Sequence, residues 1–332
     1  MGRLRSTGIS ISNNQTDPNY PSFRKLPLFD MDKTQSCLTR RLFSATDTDS
    51  SFFTCIHRTI AEYLGATWIC TQIEQGLPLG RIQSIIGVNG HPASELRGLY
   101  AWLATLCSRH AATLIPKDPY GILMYGDPAS MLPSHRHILL SSLKVLSNSD
   151  PWFRAGDWST KPLGALAKPD MVDEFRRILR DKTSNFHLRS VVLEAIQNGQ
   201  PLPQLRDDLI QLLENVTSAH SERSDAIDAL LHVSPTGEKD LAAVYRQTLV
   251  NDPNTHKLRA KILAKIYTPH FTPDDVFRVF KDTLDTAEDH SVGELWFLAG
   301  SLPTNALPDI VDKLHYLLIT ETSDIFDKTS SS

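Results

Sequence analysis

The chain has no Gly-Lys dipeptide, no C-x-x-C pair and no long apolar run, and each gap removes a class of function. A Walker A loop needs G-x4-G-K-[ST], so that backbone amides, one lysine and one hydroxyl can hold phosphates and Mg2+. The nearest Gly-rich stretch, Gly80 to Gly90 in GRIQSIIGVNG, has the wrong spacing and no lysine, so ATP binding by that mechanism is excluded. Without about 18 consecutive apolar residues no membrane-spanning helix is expected. The leading MGRLRSTGISISNNQTDPNYPSF lacks the apolar core of a signal peptide, and residues 1–35 are expected to form an extended or disordered lead. Cys37, Cys55, Cys70 and Cys107 lie too far apart for a zinc knuckle or redox dithiol. They are expected to be small buried hydrophobes in a reducing cytoplasm. Clustered basic charge is also missing: from Phe271 onward 12 acids face 4 bases, in a chain of net charge −4. That balance speaks against nucleic acid as a partner, and a solvated end face of the last repeat accounts for it.

What the sequence does have is a long period. Leu179, Leu213, Leu249, Leu284 and Leu318 recur at spacings of 34, 36, 35 and 34, each preceded four places earlier by Phe175, Leu209, Tyr245, Phe280 or Leu314. A pair four residues apart shares one face of a helix, and a period near 35 is that of helical hairpins that bury their apolar faces only against neighbours. A second register repeats in HLRSVVLEAI, ERSDAIDALL and KLRAKILAKI. Arg189, Arg223 and Arg259 start it, followed by Val192 and Leu193, Ala226 and Ile227, Ile262 and Leu263, then Ile196, Leu230 and Ile266. Turn residues separate the helices at Asn198-Gly199, Ser234 to Gly237, Asn251 to Asn254 and Pro269 to Pro273, and Asp170 and Ser221 stand where caps are wanted. The fold is therefore expected to be all-α, an α-solenoid of HEAT-like hairpins over 166–332, with an irregular helical junction region over 36–165.

Within that junction region, LRGLYAWLATLC places Leu96, Leu99, Tyr100, Leu103, Leu106 and Cys107 on one core-facing stripe, with Trp102 at its flank. The loop-rich SDPWFRAGDWSTKPLGALAKPD brings Trp152, Phe153 and Trp158 beside Arg154, a composition that suits a surface hot spot. Aromatic plugs where an irregular segment crosses helix ends are the favoured explanation. His135 and His137, two apart on a helix, point to different faces and make poor metal ligands. Asp118 and Asp127 fit Asp-Pro turns without any catalytic role. Nothing marks a nucleophile elbow, so no catalytic, cofactor-binding or metal residue is expected.

The segment FFTCIHRTIAEYLGATWIC, Phe52 to Cys70, reads as a helix whose stripe is Ile56, Ile60, Tyr63, Leu64 and Thr67-Trp68. Its order, Phe53-x3-His57-Arg58-Thr59-x2-Glu62-Tyr63-Leu64-x-Ala66, resembles the signature that follows the nucleotide-binding part of NACHT-type NTPases of the STAND class, with Gly65 where Ala is usual. The blocks LPLGRIQSIIG, ELRGLYAWLA, LIPKDPYGILMYGD, DPWFR and HLRSVVLEAI are similar to the helical region of large bacterial members. The resemblance implies the part C-terminal to the ATPase, either a separately encoded or truncated remnant or a partner of the P-loop module in trans, in which His57, Arg58, Glu62 and Tyr63 lie at the junction between the ATPase module and the repeats. It further implies a non-catalytic sensor or protein-interaction role, in antiphage defence or signalling. A polar cluster that merely fixes helix packing explains the same four residues. A stand-alone HEAT-like adaptor or scaffold, or an enzyme with a site scattered over 76–165, are the alternatives.

Overall fold

The computed structural model describes residues 8–12, 20, 22, 31–38, 41–46, 51–154, 160–247, 255–285, 293–316 and 319. They are mostly helical, with two small sheets, and the chain divides into two compact units, Met1–Leu146 and Ser147–Ser332.

The first unit holds β1 (Ile9–Ser10), α1 (Met31–Leu38), β2 (Phe43–Ala45), β3 (Phe52–Cys55), α2 (Arg58–Glu74) and α3 (Leu79–Ile86). After these come β4 (Gly87–Val88), β5 (His91–Pro92), α4 (Arg97–Leu106), α5 (Ala111–Leu114) and α6 (Pro119–Tyr125), with α7 (Pro133–Ser149) running across the division. Its core is built on α4: Leu99, Tyr100, Leu103 and Cys107 of the expected stripe are buried, while Leu96 and Leu106 are half-buried. The stripe covers α2 on one side and α6 on the other. The Tyr100 hydroxyl donates to the Leu114 carbonyl at 2.9 Å, and burial, then the Asp118 charge, pushes its pKa up. Asp118 is a turn residue, as its Asp-Pro context suggests: it accepts from the Gly121 amide at 3.0 Å and takes both Arg97 hydrogen bonds at 2.8 Å.

Three expectations are corrected here. Phe52–Cys55 is not the start of a helix but the central strand of an antiparallel sheet in the order β1-β3-β2, with Phe43 opposite Cys55 and Ile9 opposite Phe53. An apolar run of four with two phenylalanines and a threonine suits a pleated surface as well as a helix, and pairing decides it. On α2, the buried residues are Ala66, Ile69, Cys70 and Ile73, whereas Tyr63, Leu64 and Trp68 are exposed, as is Ile56 just before the helix. The part of the apolar stripe that lies on α2 is its outer face, not a core face. Finally, Cys70 and Cys107 are buried as expected but are joined in a disulfide, and Cys37 and Cys55 remain thiols that are not buried, Cys37 being exposed and Cys55 half-buried. Gly65 answers to the same packing: a Cβ there would come within 3.1 Å of Leu99 Cδ1 on α4.

The second unit contains α8 (Val172–Arg180), α9 (Phe186–Asn198), α10 (Arg206–Glu214), α11 (His220–Val233), α12 (Gly237–Gln247), α13 (His256–His270), α14 (Pro273–Asp285) and α15 (Gly293–Ser301). Sequence neighbours pack as hairpins, α8 on α9 and α10 on α11. Alternate helices also touch, α8 with α10, α9 with α11, α11 with α13 and α13 with α15. All nine apolar positions of the second register, from Val192 to Ile266, are buried. In the first register Phe175, Leu179, Leu209, Leu213 and Tyr245 are buried, and Phe280 and Leu314 are half-buried. Leu249 and Leu318 lie outside the described residues, as does the Leu284 side chain. A further aligned position, Met171, Leu205, Leu241 and Val276, is wholly buried; it just precedes α8 and α10 and lies near the start of α12 and α14.

The expected caps are displaced. Helix α8 is entered from Met171 and α11 from Ala219, without side-chain caps, whereas Asn185 caps α9 by accepting from the His187 amide at 2.8 Å. The register arginines work at the other end of the preceding helix. Arg189 donates to the Asp181 carbonyl just past α8 at 3.2 Å, and Arg223 to the Leu213 carbonyl in the last turn of α10 at 2.8 Å. Arg259 stacks on Tyr245 near the end of α12, 4.9 Å from the ring centroid. A cation at its own helix start opposes the dipole, and at a neighbour's C-terminus it meets free carbonyls and the negative end.

Candidate functional site

Helix α2 carries the candidate junction residues in its first two turns. His57 is the exposed residue preceding the helix, and its backbone carbonyl accepts from the Ile60 and Ala61 amides at 3.1 and 3.2 Å. Arg58 pairs with Glu62 one turn on, Nε to Oε1 at 2.8 Å, and also donates to the Glu95 carbonyl. The Glu62 carboxylate lies against Gly98 at the start of α4, where a Cβ would overlap it. Arg58 and Glu62 thus tie the start of α2 to its own unit. Tyr63 turns outward and meets Trp102 edge-on, with ring centroids 5.1 Å apart.

The outer face of α2 is uncharged over three turns. Leu64 and Trp68 stand on it, with Trp68 51% exposed, and Ile60 is half-buried beside them. The Thr67 and Thr71 hydroxyls fold back onto the Tyr63 and Thr67 carbonyls at 2.9 and 3.0 Å. Their polar atoms are satisfied within the helix, so the face presents little that needs water.

Compared with protein families, with curated proteins and with solved structures, the chain matches none significantly. Its function has to be read from its own surfaces.

In the second unit the candidate hot spot divides. Trp152 is 70% exposed and is not an interior plug, while Arg154 is buried; Trp158 lies outside the described residues. Trp152, Phe153 and Phe186 surround the His187 ring at centroid distances of 5.1, 6.4 and 5.2 Å. Desolvation among these rings, then the Arg154 charge, lowers the His187 pKa against the opposing pull of Asp150. Arg154 itself turns to α9, donating to Glu194 Oε2 at 2.7 Å and Ser190 Oγ at 3.3 Å.

From there a polar row crosses α11 and α13. Lys261 Nζ and Lys265 Nζ contact Asp228 at 2.6 and 2.8 Å, and Lys261 also donates to Ser224 Oγ at 2.8 Å. Burial works against the Asp228 charge, but the two lysine hydrogen bonds prevail and lower its pKa. Asp225 lies within reach of both pairs. Burial, aided by Glu194 and Asp228 and resisted by Lys261 and Arg154, pushes its carboxyl up to about 6. This row was not anticipated, yet a signal was present: Ser190 and Ser224, and Glu194 and Asp228, repeat at the 34-residue offset of Arg189 and Arg223.

A raised folded-state pKa means that the native protein keeps a proton the unfolded chain has lost. Asp225 therefore contributes most stability at low pH, and that contribution falls as pH rises from about 4 through about 6. Asp225→Asn should flatten this part of the profile and raise the urea midpoint at pH 7.5 above wild type. Equal midpoints at pH 4.5 and 7.5 in the wild type would count against a protonated Asp225. Among the described residues no cluster of three or more His, Cys, Asp or Glu is placed to hold a metal, and no helix is long and apolar enough to cross a membrane.

Proposed function

We propose that the chain is a non-catalytic helical-repeat module that binds a protein partner through the outer face of α2. The observation that carries this reading is the solvent-facing stripe of Tyr63, Leu64 and Trp68 on α2, the helix that the His57-Arg58 motif opens, with exposed Ile56 just before it. Three half-exposed large side chains on one face present roughly 300 Å2 of largely apolar surface, the size at which the largest patch on a monomer is often functional. Its occupant, following the resemblance of the motif, is a P-loop ATPase of NACHT type supplied in trans, in a cytoplasmic defence or signalling system. The second unit is an α-solenoid of HEAT-like hairpins, a reading supported by the repeated burial pattern and the successive contacts between alternate helices.

The internal use of Arg58 and Glu62 favours a second reading, a HEAT-like adaptor with no ATPase partner. Pull-down of the full chain from its native cell, with mass spectrometry, separates the two by whether a Walker-type ATPase is recovered. Because Trp68 is half-exposed, Trp68→Ala should leave the fold intact and cut recovery at least about tenfold, as truncating an interface anchor does. Equal recovery by both proteins would remove α2 as the docking surface.

A further inference from the structure

We propose that the Cys70–Cys107 bond is a thiol–disulfide switch that sets how firmly the C-terminal half of the docking helix is held. Its consequence for binding rests on the docking reading above, and its operation only on the cytoplasmic placement proposed there. Cys70 lies on the inner face of α2 and Cys107 directly follows α4, with Cα atoms 5.5 Å apart, in the middle of the range a disulfide spans.

The two halves of α2 are attached differently. The first half is held by Arg58 on the Glu95 carbonyl, by Glu62 against Gly98 and by the close approach of Gly65 to Leu99. Beyond Ala66 the inner face buries only Ile69 and Ile73 beside Cys70. The disulfide is the covalent hold on the half that carries Trp68.

In the proposed compartment a disulfide is typically transient and redox-sensing rather than permanent. Reduction proceeds by exchange. A glutathione thiolate attacks one sulfur of the pair, a mixed disulfide forms, and the other protein sulfur leaves as a thiolate and takes up a proton. A second glutathione thiolate then displaces the first protein sulfur. Two glutathiones become glutathione disulfide and the protein gains two thiols; oxidation is the reverse, with glutathione disulfide as oxidant. Both sulfurs are buried, so exchange requires the end of α2 to open locally.

The test uses the full chain carrying Cys37→Ala and Cys55→Ala, equilibrated in glutathione buffers that span the poise of the cytosol to that of the endoplasmic reticulum. Differential alkylation reads the thiols and hydrogen exchange reads the helix. Cys70 and Cys107 should become alkylated together within that window. Amides of residues 67–76 should lose protection by about 10- to 100-fold on reduction, while those of 58–64 change less than about threefold. Adding Cys70→Ser and Cys107→Ser should give the open pattern at every potential. Free thiols at the most oxidising poise, a bond that survives the most reducing one, or identical protection in both states would overturn the switch. Loss of docking in Trp68→Ala under oxidising conditions is read separately, so either idea can fail alone.

Discussion

Leu213→Ala is expected to lower the stability of the second unit by about 2–5 kcal/mol, with little change in the slope of the urea transition. Leu213 is fully buried, lies in the last turn of α10 below fully buried Leu209, and sits on the helix that packs against α11. Its carbonyl takes the Arg223 hydrogen bond at 2.8 Å, which fixes the backbone around the side chain and limits how far the site can collapse into the space left behind. The cost combines lost transfer energy with the residual cavity, and a site pinned on two sides belongs in the upper part of the range. Val216→Ala is the control. It lies three residues on, beyond the end of the helix, is 62% exposed, and should move the midpoint by no more than about 0.5 kcal/mol. If the two substitutions gave the same midpoint, the 34-residue register would not describe the core.

That register was legible because every hairpin buries the same face against its neighbours, so the constraint is written at one spacing from Phe175 to Tyr245 in the first helices and from Val192 to Ile266 in the second. Arg189, Arg223 and Arg259 were visible as an alignment, but their work at the end of the preceding helix was not, because the partner carbonyls carry no sequence signal. Failures cluster where two explanations share one pattern. Helix α2 is apolar on both sides, Ile69 and Ile73 inward and Leu64 and Trp68 outward, so periodicity could not say which side meets α4. The strand Phe52–Cys55 is too short for its period to exclude a helix. The Cys70–Cys107 pair depends on two helices meeting across 37 residues, a distance at which spacing says nothing about pairing. At the candidate sites, Arg58 with Glu62 followed from helical geometry. The gathering of Trp152, Phe153 and Phe186 around His187 needed the turn before α9 to bring 186 and 187 back toward 152.

The aligned arginines lead to the other large effect. Arg189 joins Glu222 through Nε to Oε1 at 2.7 Å, and the Glu222 side chain is only 1% exposed. The second carboxylate oxygen of Glu222 has no hydrogen-bond partner, so its charge is held mainly through this one contact. Arg189→Ala would leave a buried, uncompensated carboxylate and is expected to cost about 3–5 kcal/mol, comparable to the loss of a core leucine. The pair itself contributes far less than that figure, because taking both charges out of water offsets most of their attraction. Replacing both, Arg189→Met with Glu222→Leu, should therefore recover most of the loss, and a double-mutant cycle in urea would show strong coupling between the two positions. A geometric detail sharpens the expectation: Arg189 also donates to the Asp181 carbonyl, a bond neither leucine nor methionine can replace. Recovery should stop short of wild type by about 1 kcal/mol, the net worth of one such hydrogen bond. A double variant no more stable than Arg189→Ala would mean that the arginine acts through the end of α8 rather than through Glu222, and the stacking of successive hairpins would then rest on capping more than on the buried ion pair.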